Sequence, residues 1–253
     1  EDIEAYSLVN KAKYKKLVGF YLKEKKVLPT ETAKKYYDMS ALGEKPKNDI
    51  LKKKNKKTYQ QLILEIIGIK AKNHDTLLYL TKKQKNFAKD FARRYNINKD
   101  NLVIGINTGS ADRWPKSLSI EKTASLIEGL YKRLKCKIIL FGGQNEIERN
   151  NKIMALARAP LIHSGCGNDL FEFPAVISLC DLFITSDTLG LHIALALKRK
   201  TVALFGPTSA SEIEMYNLGV KIISESKCYC CYKSECIAMN EIEINEITRP
   251  SAL

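Results

Sequence analysis

The segment Thr185–His192 carries residue types that bind anionic groups. Asp187 and Thr188 lie between an apolar run that ends at Ile184 and an apolar helical pattern that begins at Leu191. A strand that leads directly into a helix leaves the first helical N–H groups without acceptors, and the positive end of the helix dipole favours a phosphate there. The pattern predicts an anion site at this junction, with Asp187 and Thr188 as helix caps.

Two more residues of this segment suit such a site. Gly190 lets a ligand approach the backbone, and His192 can donate a hydrogen bond from the first helical turn. A second loop of small residues, Gly206-Pro207-Thr208, follows the next predicted strand. Two such loops at the carboxyl ends of neighbouring parallel strands indicate a nucleotide or nucleotide-sugar site. The residues alone leave open the alternative of plain helix caps and a packed or surface histidine.

The positive charge is concentrated in the first part of the chain. Residues 1–100 hold 25 Lys and Arg against 12 Asp and Glu, whereas residues 101–253 hold 17 against 16. This asymmetry favours an anionic partner, although solvated lysines would produce the same composition. The basic run Lys52–Lys57 has no interleaved aromatic residues, so we predict that the partner is not a nucleic acid.

The cysteines fall into two groups. Cys136, Cys166 and Cys180 lie in or beside apolar patterns and are expected to be small buried residues. The others form a cluster, Cys228, Cys230, Cys231 and Cys236. Their spacing does not match two C-x-x-C pairs, so reduced, packed cysteines are favoured over a metal site or a disulfide knot. We predict no bound metal.

Strands and helical patterns alternate from residue 101 onward. The predicted strands are Leu102–Asn107, Cys136–Phe141, Leu161–His163, Leu182–Thr185, Thr201–Phe205 and Val220–Ile223. The helical patterns are Ser119–Leu134, Glu146–Ala157, Phe173–Leu179, one that starts at Gly190, and a short one at Ser211–Tyr216. Such alternation is typical of a doubly wound parallel sheet. We therefore predict a Rossmann-like α/β domain over residues 99–253.

Residues 1–98 do not alternate in this way. The predicted elements are a strand at Leu17–Tyr21, a polar stretch to Asn55, a helix at Thr58–Ile67, a short strand at Thr76–Leu80 and a basic amphipathic helix at Lys82–Tyr95. These strands are too few to close a sheet by themselves. We predict that this part is the end of another domain.

Several segments resemble, in order, landmarks of glycosyltransferase family 9, the bacterial heptosyltransferases. They are Asn107–Ser110 with Arg113-Trp114-Pro115, Leu140–Gly143 with Glu146, Asp187-Thr188 with His192, Leu204–Ser209, and Cys228–Cys236. Two departures are Leu189, where the family usually has Gly, and Ala238-Met239, where it has a cysteine-methionine pair. The family's first strand–loop unit, with a Gly-rich turn and a catalytic Asp, has no counterpart in this sequence.

The resemblance implies an α/β fold of the GT-B type, with two Rossmann-like domains, the first incomplete in this chain. It implies an inverting transfer of heptose from ADP-heptose, held by the C-terminal domain, to the Kdo–lipid A inner core of lipopolysaccharide. That acceptor is anionic, in agreement with the basic first part of the chain. The resemblance further implies no cofactor, since protein cations can neutralise the diphosphate, and a cytoplasmic location with peripheral contact to the inner membrane.

The resemblance also assigns residues to this site. The expected donor-binding residues are Thr108, Gly109, Ser110, Thr188, Leu189, Gly190, Gly206, Pro207 and Thr208. His192, with Arg113 or Lys116, is expected to stabilise the leaving diphosphate, and Asp187 is expected to orient its loop. The catalytic base belongs to the unit that has no counterpart here.

Other functions of a similar fold stay open at this point. One is another nucleotide-sugar glycosyltransferase or an epimerase, and another is a non-catalytic nucleotide-binding fragment. An epimerase is expected to place carboxylates near the donor site, where the sequence indicates only Asp187.

Overall fold

The computed structural model describes residues 3–71, 75–110, 114–249 and 252. The chain divides into two compact units, Glu1–His74 with Ser209–Glu214, and Asp75–Thr208 with Met215–Leu253. Within the described residues, no helix is long and apolar enough to cross a membrane.

The first unit combines helices with one hairpin. Its elements are α1 (Ile3–Lys11), β1 (Phe20–Lys23), β2 (Lys26–Pro29), α2 (Lys34–Met39), α3 (Lys47–Lys54) and α4 (Tyr59–Ile67). The strands pair antiparallel around Glu24 and Lys25, which both have positive φ, as a tight hairpin turn requires. Phe20 packs against the rings of Tyr6, Tyr36 and Tyr37.

The sequence predictions for this unit were only partly right. α4 is confirmed, and its Thr58–Gln61 capping box marks its start. The polar stretch before Asn55, for which the sequence predicted no particular element, holds β2, α2 and α3. α1 was also missed. Short helices with weak amphipathic patterns depend on tertiary packing, so their own sequences give little signal.

The second unit contains a six-stranded sheet. Its elements are α5 (Lys82–Arg94), β3 (Val103–Asn107), α6 (Ile120–Leu134), β4 (Lys137–Phe141), α7 (Ile147–Leu156), β5 (Leu161–His163), α8 (Glu172–Ile177), β6 (Leu182–Ser186), α9 (Leu189–Ala196), β7 (Lys200–Phe205), β8 (Gly219–Ile223) and α10 (Ile244–Thr248). The strand order is β5-β4-β3-β6-β7-β8, and all neighbours are parallel. The predicted doubly wound α/β sheet is confirmed.

Alternate residues of the central strands enter two separate cores. On one face, Ile104 and Ile106 of β3 pack in a cluster that includes Leu126 and Ile127 of α6. On the other face, Val103 of β3 and Phe183 of β6 pack in a cluster with Ile177 of α8. Covering both faces explains the continuous apolar runs of these strands.

Two short elements differ from their predictions. Residues 76–80, predicted as a short strand, belong to no helix or strand of the described chain. The predicted helix at Ser211–Tyr216 is only a 3₁₀ turn, Ala210–Glu212.

The division between the units also differs from the predicted boundary at residues 98 and 99. α5 belongs to the second unit because it packs on α8, where Gln84 Nε2 donates to the carbonyl of Phe171 at 3.0 Å.

Candidate functional site

The sheet reverses its winding between β3 and β6, and a cavity of about 610 Å³ opens at their carboxyl ends. Such a switch point is the usual ligand site of open α/β sheets, and the volume suits a nucleotide-sized ligand. The lining residues are Asn107, Gly109, Ser110, Lys116, Gly142, Gly143, Glu146, Asn168, Asp169, Leu170, Phe173, Thr188, Leu189 and Gly190. The cavity therefore gathers the predicted residues Gly109, Ser110, Lys116, Thr188, Leu189 and Gly190.

Asn107 joins the two loops that flank the switch point. Its Nδ2 donates to Thr185 Oγ1 at 3.0 Å and to Thr188 Oγ1 at 3.1 Å. Sequence reasoning did not assign Asn107 to the site, although a polar residue at the end of a buried strand was the available signal. The amide fixes the spacing of the loops after β3 and β6.

Lys116 brings positive charge into the cavity. Its Nζ donates to the backbone carbonyl of Asp187 and lies 3.9 Å from Asp187 Oδ2. Burial lowers the pKa of Lys116 below its ordinary value, and the Asp187 carboxylate partly opposes that shift. Asp187 thus contacts Lys116 through both its carbonyl and its carboxylate, and its role in orienting the loop stays a prediction. Arg113, the alternative predicted cation, lies outside the described residues.

The helix α9 starts at the cavity, but its capping differs from the prediction. Thr188 is the extended N-cap residue, yet its side chain makes no capping hydrogen bond. Its hydroxyl instead lies 3.0 Å from Thr185 Oγ1 and accepts from Asn107. A Cβ at Gly190 would lie 3.2 Å from Asn107 Nδ2 and 3.3 Å from the Phe183 ring. Packing therefore favours glycine at position 190, and the close approach of a ligand there stays a prediction.

Two carboxylates also line the cavity, contrary to the expectation of Asp187 alone. Glu146 Oε2 accepts from the N–H of Gly143 at 2.8 Å. Asp169 Oδ1 accepts from the N–H groups of Phe171 and Glu172 at the start of α8. Glu146 was noted only as a landmark. Asp169 and its neighbours Asn168, Leu170 and Phe173 were missed because a polar loop gives no sign of the face to which it folds.

Thr108 does not line this cavity. It is buried, and its Oγ1 lies 3.0 Å from the Phe141 carbonyl and 2.5 Å from Asn150 Oδ1. Ser117 Oγ donates to the Thr108 carbonyl at 2.8 Å. Thr108 thus anchors the loop after β3 to the protein interior, while Gly109 and Ser110 line the cavity.

The loop Gly206–Thr208 is also kept away from the cavity. A cysteine-rich segment, residues 228–239, covers it: the N–H of Cys230 donates to the Gly206 carbonyl at 2.8 Å and that of Tyr232 to the Pro207 carbonyl at 2.9 Å. Thr208 is 2% exposed. The structure therefore places Gly206, Pro207 and Thr208 outside the cavity lining, because the segment binds the Gly206 and Pro207 carbonyls and Thr208 is buried.

His192 lies on the first turn of α9 but is exposed and outside the cavity lining. Its predicted contact with a ligand stays a prediction.

The clustered cysteines pack within the second unit. Cys230 and Cys236 are buried, whereas Cys228 and Cys231 are half-buried. Burial, with neighbouring Cys231, raises the pKa of the Cys236 thiol to about 11. Among the described residues, no three His, Cys, Asp or Glu side chains converge as metal ligands. The absence of a metal remains a prediction for elemental analysis.

Comparisons with known proteins support the resemblance. The model of glycosyltransferase family 9 (heptosyltransferase) matches residues 24–241. Lipooligosaccharide heptosyltransferase 2 of Campylobacter jejuni is 30% identical over 152 residues, 53% of this chain and 44% of the relative. Lipopolysaccharide heptosyltransferase 2 of Escherichia coli is 32% identical over 110 residues, 42% of this chain and 30% of the relative. The chain thus covers less than half the length of these curated relatives.

A solved structure shows the same fold. The family 9 glycosyl transferase of Veillonella parvula superposes with a TM-score of 0.67 at 18% identity, covering 76% of this chain and 58% of the other. The predicted GT-B type of α/β fold is confirmed. Since the family model spans most of the sequence and its landmarks surround the switch-point cavity, the chain belongs to glycosyltransferase family 9.

Proposed function

We propose that the second unit binds the donor of an inverting heptosyltransferase, which moves heptose from ADP-heptose to the Kdo–lipid A inner core of lipopolysaccharide. The observation that carries this proposal is the cavity at the switch point, which combines Lys116 with the start of α9. The choice of heptose as the sugar and of lipopolysaccharide as the product follows the names of the curated relatives.

The donor's diphosphate has suitable partners in the cavity. The first amides of α9, at Leu189 and Gly190, are donors that helix geometry leaves without acceptors within the helix. The Thr188 hydroxyl and the Lys116 ammonium lie beside them. Groups aimed at the leaving phosphate stabilise the charge that develops as the sugar departs. With these donors in place, no metal or other cofactor is required.

The other end of the cavity suits a nucleoside. Glu146 accepts one N–H from Gly143, and an ionised carboxylate has further acceptor capacity for ribose or heptose hydroxyls. The apolar side chains of Leu170, Phe173 and Leu189 supply surface for a base. Leu170 and Leu189 are 71% and 57% exposed, so a bound base would cover apolar surface that now contacts water.

The proposed reaction is one displacement at the anomeric carbon. An acceptor hydroxyl attacks that carbon, its bond to the β-phosphate oxygen breaks, and ADP leaves with the bonding electrons. A base takes the hydroxyl proton, and the resemblance assigns it to a segment without a counterpart in this sequence. Asp187 is not proposed as this base, because its carboxylate lies 3.9 Å from the Lys116 ammonium and does not line the cavity.

We base the proposed acceptor on the positive charge of the first part of the chain. Residues 1–100 hold 25 Lys and Arg against 12 Asp and Glu, and phosphorylated lipid A with its Kdo residues is strongly anionic. The same attraction would bring the protein to the cytoplasmic face of the inner membrane as a peripheral protein.

Calorimetric titration of the 253-residue chain tests the donor assignment. ADP should bind more tightly than UDP, GDP or NAD, and His192→Ala shows whether the exposed histidine reaches the diphosphate. Loss of a charge-assisted hydrogen bond there would cost about 1.5–3 kcal/mol. Tighter binding of UDP or GDP would overturn the choice of adenine, and preferential binding of NAD would favour an epimerase.

A further inference from the structure

We infer that Trp114 is a positioning residue for Lys116, and that the cysteine-rich segment holds Trp114 in place. This inference rests on the proposed function, in which Lys116 contacts the donor diphosphate. A lysine ammonium ends a flexible four-carbon stem, so a defined position requires contacts beyond the cavity. Lys116 belongs to the loop after β3 but reaches the backbone of Asp187 in the loop after β6.

Trp114 contacts Lys116 in two ways. The backbone N–H of Lys116 donates to the Trp114 carbonyl at 2.8 Å. The Lys116 Nζ lies 5.9 Å from the centroid of the indole ring, which is within the range of a cation–π contact. The indole therefore lies beside the Lys116 side chain, which extends from the loop after β3 to the loop after β6.

The cysteine-rich segment fixes the indole from its other side. Trp114 Nε1 donates to the backbone carbonyl of Tyr232 at 3.1 Å. The rings of Trp114 and Tyr232 also pack edge to face, with centroids 5.3 Å apart. Both contacts are specific in direction, so they set the orientation of the indole as well as burying it.

The segment in turn is tied to the sheet. Cys230 and Tyr232 bind the carbonyls of Gly206 and Pro207, and both have left-handed φ, 56° and 51°. Residues other than glycine keep such a conformation only where their surroundings hold it. The buried loop after β7 thus acts on the site at a distance, through Tyr232 and Trp114 to Lys116.

Trp114→Phe tests this inference because it keeps an aromatic ring and removes the Nε1 donor. We expect ADP affinity to fall about threefold to tenfold, the effect of one neutral hydrogen bond, while adenosine affinity stays unchanged. Tyr232→Phe is the matched control, since Tyr232 acts through its carbonyl and ring, which phenylalanine retains. On a Lys116→Met background, Trp114→Phe should have no further effect on ADP, because the two residues act in series.

A second experiment measures how readily the Lys116 amine is chemically labelled, and it needs no ligand. Above the ordinary lysine pKa, an amine-reactive anhydride should label Lys116 faster in Trp114→Phe than in the wild type, with exposed Lys132 as an internal reference. If Trp114→Phe does not fold, Tyr232→Gly replaces it as the test variant, because it removes the ring and glycine readily adopts the left-handed backbone conformation. Lys116 should again be labelled faster than in the wild type.

Unchanged labelling of Lys116 would overturn the inference, as would equal losses of ADP and adenosine affinity or an additive effect with Lys116→Met. Failure of the wild-type chain to bind ADP, together with faster labelling in the variant, would instead refute the proposed function alone.

Discussion

At the residue scale, the site depends on side chains that act between loops. Asn107 ends β3 and Lys116 lies in the loop after it, and both bind groups in the loop after β6. Each is positioned by a partner more than 70 positions away in the sequence. Their roles therefore follow from strand order and not from local spacing.

Lys116→Met should weaken ADP binding by about 1.5–3 kcal/mol, the usual worth of a hydrogen bond to a charged group. Methionine keeps the length and apolar stem of lysine while removing the charge. Calorimetry measures the change, with Lys132→Met as a control because Lys132 is exposed on α6. An equal loss in the control would show a general effect of net charge, and contradict a local role.

The lowered pKa of Lys116 predicts how ADP affinity depends on pH. Burial lowers that pKa, so the ammonium loses its proton at a lower pH than an ordinary lysine. Only the protonated form attracts a diphosphate, so ADP affinity should decline as pH rises, starting below the ordinary lysine range. The decline should be absent in Lys116→Met. A wild-type titration with the same pH dependence as the variant would exclude Lys116 as its cause.

At the scale of elements, the cysteine-rich segment and the loop after β7 form one packed layer. A Cβ at Gly206 would lie 2.9 Å from Met239 Sδ and 3.1 Å from Ala238 Cβ. The first neighbour belongs to a flexible side chain, but the second is fixed to the backbone. Packing of the segment thus favours glycine at position 206.

Gly206→Ala should therefore destabilise the second unit, by about 1–3 kcal/mol as overpacking typically does. Urea unfolding monitored through Trp114 fluorescence measures this change. Gly129→Ala is a matched control, since a Cβ there would meet no atom within 4 Å and alanine favours the helix α6. Full stability of Gly206→Ala would show that the segment adjusts freely over the loop.

At the scale of the whole molecule, donor binding and sugar transfer are separable. The cavity proposed to bind the donor lies within the second unit, whereas the resemblance assigns the base to a segment with no counterpart here. We expect the 253-residue chain to bind ADP without transferring heptose from ADP-heptose to a Kdo–lipid A acceptor. Loss of a general base typically costs 10²–10⁴-fold in rate.

Product analysis by mass spectrometry tests this expectation, with an intact family 9 heptosyltransferase as the positive control. Transfer at a comparable rate would mean that the base lies within these residues. The carboxylates at the cavity, Glu146 and Asp169, would then be the first candidates for substitution.

The sequence by itself determined the α/β class, the order of strands and helices from β3 to β8, and the loop after β6 at the switch point. These features follow from apolar runs and helical periodicity, which are local. It also identified Thr188 and Gly190, because the strand–helix junction after β6 is short. Gly109 and Lys116, in the longer loop after β3, came from the family resemblance.

Only the tertiary structure decided which loop residues reach the cavity. Gly206–Thr208 follow a strand end as Gly109 does, yet the cysteine-rich segment covers them. Thr108 turns inward to Phe141, while Glu146 and Asp169 line the cavity. Long-range packing fixes these directions, since a loop side chain has no periodic pattern that predicts the face it presents.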